Sequence, residues 1–483
     1  MSKNKFFLFL LVLFSISLTF AFSDEAETND YNSNIDLKVT DTSESHDIYT
    51  PDFRNYLLSF LITQADNIGL SFYNTTILGK AYAIIDTGVM WHNITNPWVW
   101  DDDEFNINQI GHPYQGSMYH QGARSNGLNY YESLVVTAFG SLTWELLMEN
   151  ETPSFNDIII TSIQGSMFGE VLHRIYLDTT GKIPVLPAFI APQSALNHFI
   201  TGTPCPNFTN SHIQEFSLGI GSGIYNSSIS TFNSNLIFNK TYFPQIDLNV
   251  ILNYGDVYKE PTWIPFESFS IYAIGSIIFP LNYAVFMNGD GVLISIIPDF
   301  KTSTAMTLDL IYQYFDTFGN INFSNNALGA TIQQKFEINE DTSIEWKEQL
   351  QFAFLAGYDC HHLLKYGEDK RHDSFGYEQR LYDLGLGVGN NASFTFKNPK
   401  IGNFRLETYA GIFKTIPVSV QTEGSDGFSA VEYVSVDYEH KIYKNLSLAV
   451  NSLFYFRQAV YDDLDNYTQF ANDTSVFVRY NFL

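Results

Sequence analysis

The last nine residues of the chain, SVFVRYNFL (475–483), carry the pattern that decides the fold. Apolar and polar side chains alternate along this stretch, with Phe477 as the exception, and its apolar set is Val476, Val478, Tyr480 and Phe482. Neighbouring side chains of a strand point to opposite faces, so this alternation is typical of a sheet with one face in an apolar medium and the other in water. We therefore predict a terminal strand of this kind, although Leu483 follows the expected final aromatic residue.

The same alternation recurs upstream, from about residue 211 onward. It is clearest in the ranges 246–254, 306–314, 404–412 and 446–456. These runs approach the length of about 9–11 residues that a tilted strand needs to cross a bilayer, whereas strands of a soluble β-sandwich, the alternative, average about 5–6 residues. NGDG at 288–291 and GNN at 389–391 predict hairpin turns. Residues 211–483 are thus predicted to form an antiparallel transmembrane β-barrel of about 12 strands, typical of a bacterial outer membrane.

Two segments precede the predicted folded region. Residues 1–23 combine Lys3 and Lys5 with an apolar run and small residues before Asp24, which predicts a cleaved signal peptide. A membrane anchor is the alternative, but the apolar run is short for a span of about 20 residues. Residues 24–50 are acidic and poor in large apolar side chains, which is typical of a flexible linker. We expect export to the bacterial outer membrane.

Charge and cysteine content limit the partners. The formal net charge is −27, which argues against nucleic acid, because phosphate backbones are bound by clustered Lys and Arg. The expected partners are outer-membrane lipid and the barrel-assembly machinery, with no cofactor and an unknown small-molecule ligand. The two cysteines, Cys205 and Cys360, leave open a single bridge or two free thiols.

Residues 51–202 have helical rather than alternating periodicity, so the whole chain is predicted to be α+β. Helices are expected at 56–62, 76–91, 131–150, 155–177 and 194–200. Two of them carry stripes of small or polar residues, Ser133-Thr137-Ser141-Glu145 and Thr161-Gly165-Gly169-His173. Such stripes allow the close backbone approach used by helices in membranes. An antiparallel pairing of the two stripes predicts that Glu145 lies near Asp157 and Glu170 near Glu132.

Candidate functional residues cluster in FNINQIGHPYQGSMYHQGARSNG, residues 105–127, and in the two striped helices. The favoured interpretation is a tight structural corner with a polar network that fixes the helices and includes Arg124, Asn126, Asp157 and His173. The alternative is a catalytic site in which His112 acts with Glu145 or Glu170 as acid and base. No metal site is predicted, because the sequence holds no metal-binding helix motif and His361, His362 and His372 are best explained by a solvated loop at 358–382.

The block from Trp98 to about Arg174 resembles an uncharacterised bacterial envelope family of unknown function. The resemblance is carried by GHPYxGxxYxxxARSNG at 111–127, with Trp144-Glu145, Asn156-Asp157 and Gly169-Glu170. It implies an outer-membrane protein of a bacterium with two membranes, with no assigned activity and no catalytic residue.

Three functional hypotheses follow. The first is a structural or transport-related outer-membrane protein whose helices form a periplasmic module or plug the barrel. The second is an envelope hydrolase or transferase acting on lipid or glycan through His112 with Glu145 or Glu170, and this enzymatic role is less favoured. The third is a surface receptor or adhesin that acts through the loop at 358–382.

Overall fold

The computed structural model describes residues 51–482 except 184, 203–207, 209, 232–242, 281, 300–302, 318–320, 367–379 and 422–423. The predicted signal peptide and acidic linker therefore lie outside the described residues. Among the residues that are described, no helix is both long and apolar enough to cross a membrane.

The C-terminal part of the chain is a closed antiparallel barrel of twelve strands, which confirms the predicted fold class. The strands are β1 Ile213–Thr231, β2 Phe243–Tyr254, β3 Phe269–Ile278, β4 Asn282–Asp299, β5 Thr304–Thr317, β6 Ile321–Asn339, β7 Thr342–Asp359, β8 Tyr382–Lys397, β9 Asn403–Thr415, β10 Gly427–Tyr443, β11 Leu446–Tyr461 and β12 Tyr467–Asn481. Each pairs with its sequence neighbours, and β12 closes the barrel on β1. We call the rim where β1 begins and β12 ends the proximal rim, and the opposite rim the distal rim.

Strand β12 has the alternation that its sequence predicts. Val476, Val478 and Tyr480 are exposed on the outer wall, whereas Phe477 is fully buried beside the Arg479 guanidinium on the inner face. Phe477, the exception to the pattern, therefore occupies an inward position. Just past the strand, the Phe482 amide donates a hydrogen bond to the Phe216 carbonyl of β1, and the two rings stack at 4.7 Å.

Both predicted hairpin turns are wrong. The NGDG sequence at 288–291 lies inside β4, and the GNN sequence at 389–391 lies inside β8. Asn288, Asp290 and Asn391 of these sequences point into the lumen, where Asp290 pairs with Lys347 at 2.7 Å and Asn391 donates to Glu407 at 2.8 Å. Turn-forming residue types occur here because the inner wall of the barrel is polar.

Residues before the barrel form a helical module. Its α-helices are α1 Phe53–Phe72, α2 Thr87–Thr95, α3 His112–Ser125, α4 Tyr130–Leu147, α5 Phe155–Thr179, α6 Leu186–Ile190 and α7 Pro192–Thr201. Side-chain caps start several of them; the Asn129 carboxamide, for example, accepts from the Glu132 amide at 3.0 Å at the start of α4. One further helix, α8 His361–Tyr366, follows β7.

Two helix assignments differ from the sequence prediction. The glycine-rich stretch expected to form a corner is helix α3, entered through a π-helical turn at Ile107–Gly111. The helix expected at 76–91 is instead a π-helical turn at Tyr73–Ile77, a 3-10 turn at Ala81–Ala83 and helix α2. Pro113 fits α3 because the first turn of a helix needs no amide from that position.

Aromatic side chains of the barrel itself meet across part of the lumen. Phe286 of β4 lies 5.5 Å from Tyr433 of β10, and Phe315 of β5 lies 5.2 Å from Tyr455 of β11, measured between ring centroids. These strands are not neighbours in the sheet, so the contacts cross the interior. The face that carries these residues is therefore the inner face.

The helical module packs on the outer wall, so the prediction that the helices plug the lumen is wrong. On β5 the inward positions include Ile311 and Phe315, while Leu310, Tyr312 and Tyr314 point outward. These outward residues are nevertheless buried, because they contact module residues such as Phe105 and Phe168. Alternation alone indicates two faces and does not indicate which face a separate module covers.

Helix α5 runs across this wall between the two rims. Near the distal rim the Asn156 side chain at its start contacts Asp101, whose carbonyl accepts from the Arg380 guanidinium at 2.7 Å. Near the proximal rim, Arg174 donates to the carbonyl of Pro265 at 2.7 Å. Helix α5 is buried along most of its 25 residues, between the barrel and helices α3 and α4.

Candidate functional site

Helices α3 and α5 are in backbone contact, and this crossing positions the candidate residues. A Cβ added at Gly116 would lie 2.0 Å from the Thr161 carbonyl oxygen, and one added at Gly165 would lie 2.6 Å from the Gly116 Cα. The stripe on α5 is thus a close-packing surface, as its small residues predict. Its partner is α3, however, and not the stripe on α4.

One polar cluster, which we call the Glu170 cluster, lies on the proximal side of this crossing. The Glu170 carboxylate accepts from Arg124 Nε at 2.7 Å, Arg174 Nε at 2.9 Å and His120 Nε2 at 3.1 Å. The Glu170 side chain is fully buried. Two guanidinium groups and an imidazole therefore enclose the carboxylate, leaving it no face for a substrate.

A second cluster, which we call the distal carboxylate cluster, lies on the other side of the crossing. It comprises Asp101, His112, Glu145, Glu149 and Asp157. The His112 Nε2 atom lies 3.5 Å from the Asp157 carboxylate, and its Nδ1 atom lies 3.2 Å from the Thr161 hydroxyl. The Glu145 carboxylate accepts from the Ser154 amide at 2.8 Å.

Amide side chains take the place of cations around Asp101. Its Oδ1 atom accepts from Asn108 Nδ2 at 2.8 Å and from Asn156 Nδ2 at 2.6 Å. In the described part of the chain, no Lys or Arg side chain forms an ion pair with the four carboxylates of this cluster. Hydrogen bonds therefore stabilise the negative charge of the cluster. His112 adds a positive charge only when its imidazole is protonated.

Protonation is favoured in the two loop carboxylates of this cluster. Burial, reinforced by the neighbouring charge of Asp157, raises the pKa of Asp101 to about 8. Burial, together with the charge of Glu145, also raises the pKa of Glu149 well above its usual range. A carboxylic acid that keeps its proton near neutral pH can donate a hydrogen bond as well as accept one.

The structure brings His112 to Asp157 and not to Glu170. Thr161, the partner of His112, precedes Glu170 by nine residues on α5, which is about 13 Å along a helix. Glu145 lies close to Asp157 in the same cluster, as predicted. Glu132, expected near Glu170, accepts from the Tyr56 hydroxyl and caps α4.

The four residues of the predicted polar network belong to separate groups of contacts. Arg124 joins the Glu170 cluster and Asp157 joins the distal carboxylate cluster. The Asn126 carboxamide donates to the Gly122 carbonyl at 3.0 Å and accepts from Asn197 at 3.0 Å. His173 lies 3.5 Å from the Ser194 hydroxyl. The network therefore fixes the helices at several points rather than forming one site.

The described residues contain no group of three or more His, Cys, Asp or Glu side chains with the geometry of a metal site. His361 is buried against the rings of Tyr461 and Tyr467, whereas His372 lies outside the described residues. Cys360 is a buried free thiol, and Cys205 lies outside the described residues.

The lumen holds a polar cavity that sequence reasoning missed. It has a volume of about 390 Å³, and its lining extends from rim residues such as Tyr258 and Lys335 to Glu407 deeper in the barrel. Acidic and basic groups alternate in it; besides the Asp290–Lys347 pair, Lys397 lies 3.3 Å from the Glu215 carboxylate. We call this cavity the vestibule. The cavity could have been predicted from the polar NGDG sequence inside β4, because Asn288 and Asp290 line it.

Toward the distal rim the vestibule ends at a layer of buried rings, which we call the aromatic layer. The Tyr433 hydroxyl donates to Glu407 at 3.2 Å at the boundary, and its ring stacks on Tyr409 at 5.1 Å. The layer comprises Tyr225, Phe286, Phe315, Phe323, Tyr358, Tyr409, Phe413, Tyr433 and Tyr455. The described lumen is therefore polar at the proximal rim and closed by aromatic rings beyond it.

A closed barrel with an apolar outer wall and a polar inner wall defines the class of β-barrel membrane proteins. Residues 97–184 match a family described as Domain of unknown function (DUF3943), which supports the resemblance to an uncharacterised family. No curated protein matches the chain in sequence.

Several solved structures of outer-membrane proteins are similar to this chain. The NanC porin is 10% identical, with 53% of this chain and 98% of that chain covered and a TM-score of 0.25. The outer membrane channel DcaP of Acinetobacter baumannii is 10% identical, with coverages of 54% and 72% and a TM-score of 0.21. The outer membrane protease OmpT from Escherichia coli is 6% identical, with coverages of 57% and 99% and a TM-score of 0.18. These likenesses concern the barrel fold alone.

Proposed function

We propose that this chain is a transport-related protein of the bacterial outer membrane that admits small polar solutes to its lumen. The observation that carries the proposal is the vestibule, a charged cavity of about 390 Å³ ended by the aromatic layer. A purely structural barrel needs no such cavity. Passage through the barrel would require the aromatic layer to rearrange, so the gate belongs to the barrel and not to the helices.

The orientation of the barrel follows from its connections. Four of the five connections at the proximal rim are short, for example 340–341 and 444–445, and 255–268 is the exception, whereas the longest connection of the barrel, 360–381, lies at the distal rim. Outer-membrane barrels place short turns in the periplasm and long loops outside. We therefore infer that the vestibule faces the periplasm. Cleavage of residues 1–23, insertion by the barrel-assembly machinery and contact with outer-membrane lipid belong to the same proposal.

Conductance in planar bilayers tests the gate. The variant Tyr433→Ala/Tyr455→Ala removes two central rings of the aromatic layer and should open a continuous polar path. We expect its single-channel conductance to exceed that of the wild type severalfold. The matched control is Val434→Ala/Phe454→Ala, which truncates the neighbouring outward-facing residues of the same strands.

The proposal makes the two double variants behave differently. Equal conductance for both variants and the wild type, with all three folded by heat-modifiable electrophoretic migration, would contradict a gate at the aromatic layer. A vestibule used by solutes also predicts that Lys347→Met changes ion selectivity, because Lys347 supplies one of the positive charges that line it. Unchanged ion selectivity would show that ions do not pass through the vestibule.

An envelope hydrolase or transferase is the second candidate, and the observation that favours it is the pairing of His112 with Asp157 at 3.5 Å. In this form the acid and base are His112 and Asp157, with Glu145 nearby and Glu170 excluded by its enclosure between two arginines. Replacement of His112 by Gln should then change the lipid or glycan profile of the envelope while the barrel still assembles. An unchanged profile would remove this candidate.

The adhesin hypothesis rests on the loop at 358–382, of which 367–379 lie outside the described residues. We further propose that GHPYxGxxYxxxARSNG marks the family because it builds helix α3. Within that motif Gly116 permits the contact with α5, and Arg124 neutralises Glu170.

A further inference from the structure

Three helices of the module, α1, α4 and α7, have apolar exposed faces and largely polar buried faces. On α1 the exposed residues between Asn55 and Gly69 are all apolar or glycine, and they are Leu57, Leu61, Ala65, Ile68 and Gly69. The opposite face of the same helix buries Ser59, Thr63 and Asn67 completely. Asn67 donates from its carboxamide to the Gly140 carbonyl and to the Thr143 hydroxyl, both at 3.0 Å.

Two other outer helices repeat this inversion. On α4 the exposed residues are Tyr131, Val135 and Phe139, while Ser133, Thr137 and Ser141 are buried. On α7 the exposed residues include Leu196, Phe199 and Ile200, while Gln193, Ser194 and Asn197 are buried. A helix on the surface of a water-soluble domain has the opposite arrangement, with its apolar stripe toward the core.

This apolar surface is continuous with the outer wall of the barrel. Along β5, Met306 and Leu308 are exposed on the outer wall, whereas Leu310 on the same face is 2% exposed beneath the module. Along β8, Leu384 is buried by the module while Leu386 and Val388 are exposed. The module therefore covers part of the outer wall of the barrel. Over that part, the apolar outer faces of the module become the exposed surface.

We propose that the helical module is embedded in the bilayer beside the barrel, with the outer faces of α1, α4 and α7 in contact with lipid acyl chains. The module spans the wall between the rims, so its outer surface lies at the depth where the barrel itself meets hydrocarbon. Helices that pack through small residues and internal hydrogen bonds, as α3 and α5 do at Gly116 and Gly165, suit a medium that supplies no hydrophobic push.

The placement of ionisable groups agrees with this environment. Glu170, Arg124, Arg174 and His120 face the interior of the module and satisfy one another there. Charged residues within a membrane face the interior of a bundle and pair with each other, because an exposed charge in hydrocarbon is costly. Arg54, an exposed charged residue of α1, lies at the start of that helix, next to the proximal end of the module.

Site-directed spin labelling tests the proposal on the full chain in phosphatidylcholine vesicles. A Cys205→Ser/Cys360→Ala background carries single labels at Leu61→Cys, Val135→Cys or Phe199→Cys. Phe352→Cys on the exposed outer wall is the lipid reference, and Lys400→Cys in the turn between β8 and β9 is the water reference. The measurement is relaxation of each label by oxygen, which concentrates in lipid, and by a water-soluble nickel chelate.

We expect the module labels to match Phe352→Cys, with strong relaxation by oxygen and loss of relaxation by nickel. Relaxation by nickel equal to that at Lys400→Cys would place these helices in water and overturn the proposal. Weak relaxation by both reagents would show that a protein surface, such as a second copy of the chain, covers the face, and would overturn it equally. Each label replaces a surface residue, so folded protein is expected in all three variants.

Discussion

The two carboxylate clusters of the helical module differ in how their charge is balanced. In the Glu170 cluster, one carboxylate meets two guanidinium groups and an imidazole. In the distal carboxylate cluster, four carboxylates meet one imidazole and the amide groups of Asn108 and Asn156. The same pair of helices, α3 and α5, contributes to both.

This difference separates a fixed contact from one that exchanges protons. Breaking a buried ion pair leaves a charge without compensation, so the Glu170 cluster locks α3, α5 and the barrel loop at Pro265 together. Carboxylates without cations hold protons instead, and burial raises the pKa of Asp101 to about 8. The Glu170 cluster is therefore structural, whereas the distal carboxylate cluster is able to respond to pH.

The strongest test of this comparison is the same substitution in both clusters. Glu170→Gln should destabilise the protein by about 3–5 kcal/mol, because Arg124 and Arg174 would stay buried without a counter-charge. Glu145→Gln should cost about 1 kcal/mol or less, since the amide oxygen still accepts from the Ser154 amide. Urea unfolding in lipid vesicles measures both free energies. Equal costs would show that the two clusters do not differ as described.

A second test separates the clusters physically by altering the crossing that lies between them. Gly116→Val should destabilise the protein by about 1–3 kcal/mol or more, because its Cβ would overlap the Thr161 carbonyl and force α3 away from α5. The control is Gly69→Ala on α1, where a Cβ meets nothing within 4 Å. That control should be neutral or stabilising by about 0.5–1 kcal/mol. A Gly116→Val variant as stable as the control would contradict the backbone contact.

The last test concerns the pH dependence of stability. Asp101 has a pKa of about 8 in the folded protein against 3.8 as its usual value, so the folded state retains a proton that the unfolded state releases. Its stabilising contribution is complete below about pH 4 and is lost as the pH rises to about 8. Asp101→Asn should reduce the fall in stability across this window, because the variant has no proton to release there. Parallel profiles for the variant and the wild type would refute the assignment.

The barrel was predictable because successive residues of each strand face the outer wall and the lumen in turn, and the sequence alternates accordingly. The alternation at 306–314 and 446–456 located β5 and β11 directly. The turn predictions at 288–291 and 389–391 were wrong because a polar lumen accepts the same residue types as a turn. The count of about 12 strands nevertheless held, because the alternation continues on both sides of these sequences.

The module was harder to predict because several of its helices bury small polar residues and expose apolar ones, the reverse of a helix on a water-soluble domain. The stripes Ser133-Thr137-Ser141 and Thr161-Gly165-Gly169 were correctly identified as buried helix faces. The helices that these stripes pack against could not be predicted without helix α3. Helix α3 was missed because it is rich in glycine and histidine, which have low helix propensity. Asp101 and Glu149 escaped notice for a different reason: they lie in loops, and only the folded chain brings them to His112 and Glu145.

The burial of helix α5 against the outer wall has a consequence for biogenesis. The module precedes the barrel in the chain, yet the surface that covers α5 is built by strands β2 to β8, which follow it. Until those strands pair, one side of α5 has no partner. We therefore expect the module to complete its own folding only when the barrel strands have paired.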